Sequence, residues 1–411
     1  MILNVVWLGF FCVAFIACVF QWLVMGDTGI FSRVLQESFT SAKAAFEIAL
    51  GLTGVLTFWL GVLRVGEQGG AVEWLARLVN PLFARLFPGV PEGHPAQGAM
   101  LLNIGANMLG LDNAATPMGL KAMRALQELN PDPDRASDAQ ILFLVLNASG
   151  LTLIPVSIMT YRAQLGAANP ADVFLPILLA TFFSTLAGLV AVAWMQKIRL
   201  HQPVVLAWLL GLCSAVAATL VYFARLSAEQ MAVQSAFVSG FVLFSIIVAF
   251  LALASWRRVS AFDAFIEGAK EGFNTAVMVI PYLVAMLVGV AVFRASGAME
   301  LLMLGVNQAL DRLGVPADIG PALPTALMKP LSGSGARGMM IDAMKTYGAD
   351  SFAGRLACMF QGAADTTFYI VAVYFGSVGV RQTRHTIPCC LVADLAGAIA
   401  AITIALLFFT P

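Results

Sequence analysis

Residues 204–223 read VVLAWLLGLCSAVAATLVYF and contain no charged side chain. This length matches the roughly 20 apolar residues that an α-helix needs to cross a bilayer. Comparable runs recur along the 411-residue chain, which is 60% hydrophobic and only 11% charged, whereas about a quarter of the residues in a soluble domain are charged. The sequence therefore predicts an all-α, polytopic helical membrane protein.

The apolar runs predict nine membrane-spanning helices. They lie at residues 1–25, 44–63, 141–161, 173–195, 204–223, 233–253, 276–293, 356–378 and 387–409. Four further apolar segments are too short to span, at 71–87, 96–111, 298–313 and 319–331. The first of these has apolar residues at helical spacing. This pattern is typical of a helix lying in the membrane interface, or of one packed on the protein's own polar edge.

Charge and residue usage exclude several classes of function. Lys plus Arg and Asp plus Glu both number 23, so no basic footprint indicates a nucleic-acid partner. All six cysteines lie in or beside apolar segments, as buried thiols do. His94, His201 and His385 lie in predicted loops without metal-ligand spacing, and Ser334 has no G-x-S-x-G context. We therefore expect neither an enzyme nor a metal site.

An internal duplication is visible at a constant offset of 227 residues. Residues 42–86 then match residues 269–313 at fifteen of forty-five positions. The matches include polar pairs such as Lys43 with Lys270, which shared apolar bias does not explain. We predict two domains, 1–200 and 201–411, each a repeat, with an extra span at about 204–223 leading the second.

The number of spans between the repeats predicts their relative orientation. If the short segments form re-entrant hairpins, five spans separate the two repeat starts, and an odd number inverts the second repeat, as in many transporters. A hairpin that crosses the membrane would instead make the repeats parallel. A slight excess of Lys and Arg on the N-terminal side favours a cytoplasmic N-terminus.

The first broken segment, residues 103–117, reads NIGANMLGLDNAATP. Its glycines weaken a helix, and Asp112 or Asn113 can cap the next one. Asn103 and Asn107 are four residues apart on one face of an apolar segment, where amides without partners are costly. The pattern predicts a helical hairpin with a polar site, although an ordinary capped turn between two short helices has the same sequence features.

The second broken segment, residues 323–338, reads LPTALMKPLSGSGARG. A glycine turn that opens a helix presents free N–H groups and the positive end of the helix dipole to an anionic or polar group. Lys329 and Arg337 flank this turn. They either serve the site, reach the interface with their charged ends, or pair with Asp318 or Asp342.

A span with a polar centre follows each hairpin. Residues 147–155 read NASGLTLIP and residues 361–369 read QGAADTTFY. Gly150, Pro155 and Gly362 permit local unwinding. Asp365 is an intramembrane carboxylate, which favours a solute or ion path over structural pairing and makes it the candidate for coupling to H⁺ or Na⁺. Asp394 is a weaker candidate of the same type.

The predicted substrate-binding site combines the polar residues of these segments. They are Asn103, Asn107, Asp112, Asn113, Thr116, Asn147, Ser149, Thr152, Lys329, Ser332, Ser334, Arg337, Gln361, Asp365, Thr366, Thr367 and Tyr369.

Long motifs in the two halves carry a family resemblance. Up to about residue 200, LGLDNAATP at 109–117 and SGLTLIP at 149–155 resemble spore maturation protein A. From about residue 206, KPLSGSG at 329–335, TTFY at 366–369 and VYFGS at 373–377 resemble spore maturation protein B. The chain thus looks like a fusion of two members of the nucleoside-recognition, or Gate, superfamily. The superfamily is shared with concentrative nucleoside transporters and the membrane part of ferrous-iron transporters.

The resemblance implies a multi-pass protein of the bacterial cytoplasmic membrane with a role in spore core dehydration, and it does not supply a substrate. We predict secondary transport of a small polar or anionic solute, nucleoside-like molecules being one class, through a site between the two repeats. The alternative is a non-transporting membrane scaffold or regulator. The expected partners are membrane lipid, the solute and further copies of the chain, with no cofactor besides a coupling H⁺ or Na⁺.

Overall fold

The computed structural model of the chain describes residues 2–91, 93–110, 112–150, 152–312, 314 and 316–409. The side chains of residues 2, 3, 112–114, 228, 309 and 310 lie outside this description. Within these ranges the chain is helical and has no strand, apart from an isolated β-bridge between Arg135 and Gln382. The prediction of an all-α protein is confirmed.

The described ranges form seventeen α-helices and one 3-10 helix, which spans Ala317–Ala322. The α-helices in chain order are α1 (Ile2–Met25), α2 (Ile30–Gln68), α3 (Ala71–Leu86), α4 (Pro95–Met108), α5 (Asp112–Glu128), α6 (Asp138–Ser149), α7 (Val156–Gln164), α8 (Phe174–Gln196), α9 (Pro203–Ala224), α10 (Ala228–Trp256), α11 (Ala261–Ala295), α12 (Ala298–Arg312), α13 (Leu323–Met328), α14 (Gly333–Tyr347), α15 (Phe352–Gly362), α16 (Thr367–Gly376) and α17 (Thr386–Phe409).

Eight segments of the described chain are long and apolar enough to cross a membrane. They are Asn4–Met25, Ile30–Gln68, Phe174–Gln196, Pro203–Ala224, Glu229–Trp256, Ala261–Ala295, Phe352–Gly376 and Thr386–Phe409. These segments correspond to eight of the nine predicted spans. The chain is therefore a polytopic helical membrane protein.

The predicted continuous span at 141–161 is wrong, because two short helices, α6 and α7, occupy this region. Gly150 ends α6 in a conformation with φ of 29°, which L side chains rarely adopt. Pro155, just before α7, has no N–H to continue the helix. The apolar segment Phe352–Gly376 is also interrupted, at 363–366 between α15 and α16.

Two amphipathic helices, α3 and α12, form where the short segments at 71–87 and 298–313 predicted them. One face of α3 is buried through residues such as Leu75 and Phe83, while Trp74 and Leu78 are exposed on the other. The helix thus packs on the protein through only part of its apolar surface. Its predicted position in the membrane interface stays a prediction.

The hairpin segments contain short helices on either side of a turn. Gly110, in the turn between α4 and α5, has φ of 74°, and a Cβ there would lie 2.9 Å from the carbonyl oxygen of Ile154. Glycine therefore allows both the left-handed turn and this close approach. In the second segment α13 ends at Met328 and α14 begins at Gly333. The re-entrant nature of both hairpins stays a prediction.

The order of elements recurs along the chain. A long helix, an amphipathic helix, a hairpin, an interrupted helix and a long helix follow one another from α2 to α8 and again from α11 to α17. Helix α9 occupies the position of the extra span predicted at about 204–223. The inverted orientation of the repeats stays a prediction.

Residue contacts divide the chain into two compact units. Unit 1 contains Met1–Phe58, Ser157–Pro170 and Lys270–Gln361, and unit 2 contains Trp59–Val156, Ala171–Ala269 and Gly362–Pro411. Each unit therefore takes segments from both halves of the sequence. The division into 1–200 and 201–411 describes the sequence repeats and stays a prediction.

Each unit has its own buried core. In unit 2 the core includes Met123, Phe143 and Phe375. In unit 1 it includes Met286 and Met339. Between membrane helices such close packing, rather than removal from water, is the source of attraction, and these cores support the polar segments described below.

Candidate functional site

Two helix interruptions meet inside unit 2. The amide N–H of Asp365, in the interruption before α16, donates a 2.7 Å hydrogen bond to the carbonyl oxygen of Ala148, in the last turn of α6. The N–H of Leu153, in the interruption after α6, donates to the carbonyl oxygen of Met108 at 2.8 Å. These bonds satisfy carbonyl groups at helix ends that have no partner within their own helix. The ends of α4 and α6 and the start of α16 are thereby joined through backbone groups.

Asn107 and Asn147 form the polar centre of this junction. Asn107 Nδ2 donates to Asn147 Oδ1 at 2.7 Å, and Asn147 Nδ2 donates to the carbonyl oxygen of Phe143 at 2.8 Å. Asn147 is buried and Asn107 half-buried. Asn107 and Asn147, which belong to separate polar segments of the sequence, are thus in direct contact.

Asn103, one turn before Asn107, is fully buried and faces different partners. Its Nδ2 donates to the carbonyl oxygen of Ala115 at 2.8 Å and lies 3.4 Å from Tyr374 Oη. Its Oδ1 has no hydrogen-bond partner among the described residues. Leaving a buried polar atom unpaired costs roughly 1–3 kcal/mol, so this oxygen is a costly unsatisfied acceptor.

The start of α16 supplies the acidic part of the site. Asp365 is exposed, and its Oδ1 accepts a 2.6 Å hydrogen bond from the N–H of Thr366. Thr366 is buried at the N-cap, and Thr367 Oγ1 donates to Asp394 Oδ2 at 2.7 Å. Tyr369 is exposed. Asp365 therefore lies in a helix interruption with an accessible carboxylate, whereas Asp394 is engaged by Thr367.

The other predicted site residues of unit 2 bond locally or lie outside the description. Ser149 Oγ donates to the carbonyl oxygen of Leu146 at 3.2 Å, and Thr152 Oγ1 donates to that of Gly150 at 3.3 Å. Thr116 is half-buried. Helix α5 begins at Asp112, but the side chains of Asp112 and Asn113 lie outside the described residues.

The remaining predicted residues lie in unit 1, around the start of α14. Ser332 caps this helix, because its Oγ accepts a 3.0 Å hydrogen bond from the N–H of Gly335 and lies 3.2 Å from Ser334 Oγ. Gln361 Nε2 donates to the carbonyl oxygen of Gly333 at 3.5 Å. The Oε1 of Gln361 is buried without a partner in the described chain. These three side chains are thus brought together.

The two basic residues of this segment have different surroundings. Lys329 is buried. The guanidinium carbon of Arg337 lies 5.8 Å from the centre of the Tyr161 ring, within the range of a cation–π contact. Asp342 was predicted as one of two alternative partners for these basic residues. It instead forms an ion pair with Arg294.

Two arginines outside the predicted site, the buried Arg162 and the exposed Arg384, link segments from different halves. In unit 1 Arg162 donates to the carbonyl oxygen of Ala349 at 2.6 Å and to Asp350 Oδ1 at 2.9 Å. In unit 2 Arg384 donates to the carbonyl oxygen of Ala136 at 3.0 Å and to Asp138 Oδ1 at 2.7 Å. Both contacts anchor the chain at the start of an interrupted helix.

Arg162 is not among the predicted site residues, because it directly follows the apolar run at 141–161 and resembles the charged end of a span. Tyr374, the neighbour of Asn103, is not among them either. No cluster of His, Cys, Asp or Glu within the described residues could hold a metal ion. The site therefore offers amides, hydroxyls, backbone groups and one accessible carboxylate.

Comparisons with known proteins place the chain in a family. A family model for nucleoside recognition, named Gate, matches residues 49–165 and 276–381, more than half of the chain. The chain is 43% identical over 164 residues to spore maturation protein B of Bacillus subtilis (strain 168), covering 40% of this chain and 90% of that protein. It is 40% identical over 162 residues to spore maturation protein A of the same organism, covering 39% and 83%.

No solved structure matches the chain. The matched regions nevertheless cover most of the length of each of the two relatives. The Gate model matches both halves of the chain. The chain therefore belongs to the nucleoside-recognition (Gate) family and combines in one polypeptide regions similar to spore maturation proteins A and B.

Proposed function

We propose that this membrane protein is a secondary transporter of a small polar or anionic solute, with nucleoside-like molecules as one class. The observation that carries the proposal is the junction of two helix interruptions through the hydrogen bond from the Asp365 N–H to the Ala148 carbonyl. Within a membrane, non-helical backbone is tolerated where it is buried in protein or lines a water-filled cavity. Secondary transporters bind substrate and ion at such discontinuous helices.

The side chains near the junction suit a polar solute. Asn107 and Asn147 carry both donors and acceptors on their amides, and the Asn103 Oδ1 is an acceptor without a partner among the described residues. A solute with hydroxyl or amide groups can exchange hydrogen bonds with such a cluster at little net cost, whereas an apolar solute would leave these groups unpaired.

Asp365 is the group that we propose couples transport to an ion. Its carboxylate is accessible and lies beside peptide groups of a helix interruption. Binding of H⁺ neutralises a carboxylate, and Na⁺ is held by carboxylate and carbonyl oxygens, so either ion changes the charge of the site. Solute binding and ion binding at the same interruption would then stabilise one another.

The test combines a solute screen with uptake measurements on the purified protein. Uridine, adenine, glutamate and succinate are first tested for an increase in the unfolding temperature, since a ligand of the folded state raises apparent stability. Uptake of any stabilising compound into liposomes is then followed under an H⁺ or a Na⁺ gradient. We expect Asp365→Asn to reduce gradient-driven uptake by roughly ten- to hundredfold, the effect of losing a charge-assisted interaction.

Asp263→Asn is the matched control, because Asp263 is an exposed carboxylate in the first turn of α11. It should leave uptake unchanged. If no compound stabilises the wild-type protein or enters the liposomes, and the Asp365→Asn protein is as stable as wild type, the transport proposal fails. The alternative of a non-transporting scaffold or regulator would then be favoured.

The cellular location that we propose is inferred from the two relatives. Both are named for spore maturation and come from a bacterium. We propose that the chain resides in the bacterial cytoplasmic membrane, that it catalyses no reaction, and that lipid and further copies of the chain are its membrane partners. The coupling ion is then its one bound cofactor.

A further inference from the structure

A cavity of about 740 Å³ lies in unit 1, outside the site described above. Its walls come from the first turns of α2 and the last turns of α11 and α14. The lining is strongly charged and includes Arg33, Glu37, Arg294, Asp342 and Lys345. We call it the helix-end cavity.

The helix-end cavity lies where apolar helix surface gives way to polar sequence. The lining residues of α2 precede the apolar run at 44–63, and those of α11 follow the run at 276–293 or occupy its last turns. An α-helix of 39 residues, such as α2, is about 58 Å long, well beyond the roughly 30 Å of hydrocarbon in a bilayer. Helix α2 therefore extends beyond the hydrocarbon of a bilayer, and the cavity lies at its charged first turns.

Some of the charges in the cavity already neutralise each other. Arg294 forms an ion pair with Asp342. Arg33 forms one with Asp27, and its hydrogen bond lowers the pKa of the Asp27 carboxyl below the ordinary value. A guanidinium has five N–H donors, so both arginines keep donors for a further anion.

The two remaining charges of the cavity have no ion-pair partner in the described chain. They are the cation of Lys345 and the anion of Glu37, both exposed. The Lys345 ammonium, together with the remaining N–H donors of the two arginines, suits an anion such as phosphate. The Glu37 carboxylate suits an ammonium group. A ligand that carries both charges would satisfy the two together.

We propose that the helix-end cavity binds a phosphoethanolamine group, with its phosphate at Lys345 and the arginines and its ammonium at Glu37. Two sources carry this chemistry, the headgroup of phosphatidylethanolamine and soluble phosphoethanolamine. The place of the cavity at the charged end of α2, before the apolar run at 44–63, suits a lipid headgroup as well as a soluble compound. The proposal does not depend on transport by the protein.

The test is native mass spectrometry of the full chain in detergent with three added lipids. Phosphatidylethanolamine should be retained in preference to phosphatidylglycerol, which has no amine, and to phosphatidylcholine, whose trimethylated amine has no N–H to donate. We expect Lys345→Gln to lower retention of phosphatidylethanolamine roughly tenfold, as expected for a lost charge-assisted contact. Glu37→Gln should abolish the preference over phosphatidylglycerol.

Lys43→Gln is the matched control, since Lys43 lies on α2 outside the cavity and pairs with Glu47 on the exposed surface. It should not change retention. Soluble phosphoethanolamine is tested for displacement of the lipid, and for binding to delipidated protein by calorimetry. Lipid retention without soluble binding identifies the lipid as the source, and the reverse identifies the soluble compound. Equal binding by wild type, Lys345→Gln and Glu37→Gln overturns the proposal.

Discussion

Replacing Arg162 with leucine is expected to lower the free energy of unfolding by about 3 kcal/mol. The guanidinium is 0% exposed and donates to both the Ala349 carbonyl and the Asp350 carboxylate. Asp350 also accepts a hydrogen bond from the N–H of Ala168 at 2.8 Å. Removing Arg162 therefore leaves a buried carbonyl and a carboxylate without their main donor.

The size of this effect follows from the asymmetry of buried ion pairs. A complete pair contributes little net stability, but removing one partner leaves an uncompensated charge that costs roughly 3–5 kcal/mol. Asp350 is 35% exposed and its Oδ1 also lies 3.7 Å from Arg355 Nη2, so water and Arg355 recover part of the loss. For this reason we expect the lower end of the range.

The measurement is the unfolding midpoint of the purified protein in detergent, followed by tryptophan fluorescence. Arg381→Leu is the matched control, because Arg381 is 86% exposed and lies 3.8 Å from the Asp134 carboxylate. A surface pair of this kind contributes about 0–1 kcal/mol. Equal shifts for Arg162→Leu and Arg381→Leu would show that the buried contact is not a stabilising element.

The second large effect is expected at Gly272 in α11. A Cβ at this position would lie 2.7 Å from the Cα of Thr57 and 2.8 Å from the carbonyl oxygen of Leu56, both in α2. These are backbone atoms, so no side-chain rotation can relieve the overlap. Gly268 lies four residues earlier and also approaches α2 closely, at the Leu60 carbonyl. The two glycines form the small-residue pattern with which membrane helices pack closely.

Gly272→Leu is therefore expected to destabilise the protein by about 3 kcal/mol, and Gly272→Ala by about 1 kcal/mol. Leucine is the better helix former by roughly 0.8 kcal/mol, so intrinsic propensity alone predicts the opposite sign. Gly211→Leu in α9 is the control, because a Cβ at Gly211 has no heavy atom within 4 Å. Stabilisation by both leucine variants in the same unfolding assay would refute the close-packing argument.

Periodicity and composition predicted the elements of this fold better than their contacts. Apolar runs identified eight long helices and apolar spacing identified α3, because both signals are local, and the internal duplication then indicated α12. The span at 141–161 was predicted as continuous although Gly150 and Pro155 were visible. Either residue alone is tolerated in a membrane helix, and the contacts of the two freed ends decide whether the helix breaks.

In the candidate site too, the sequence predicted residues but not the contacts between them. The sequence indicated Asn107, Asn147 and Asp365 as costly polar residues in apolar segments, which depends on residue type alone. It did not indicate the bond between the two amides, or that Asp365 lies at the Ala148 carbonyl. Such pairings join residues up to 217 positions apart, and the periodicity of a single sequence does not indicate which residues are in contact at that separation.

The two arginine contacts have a consequence for how such a protein is made. Arg162 belongs to the first half of the duplicated sequence and Asp350 to the second, whereas Arg384 belongs to the second and Asp138 to the first. If the halves were separate polypeptides, as the two relatives are, the same contacts would be formed between two chains. Fusion would convert that bimolecular encounter into a concentration-independent folding step and fix the ratio of the halves at one to one.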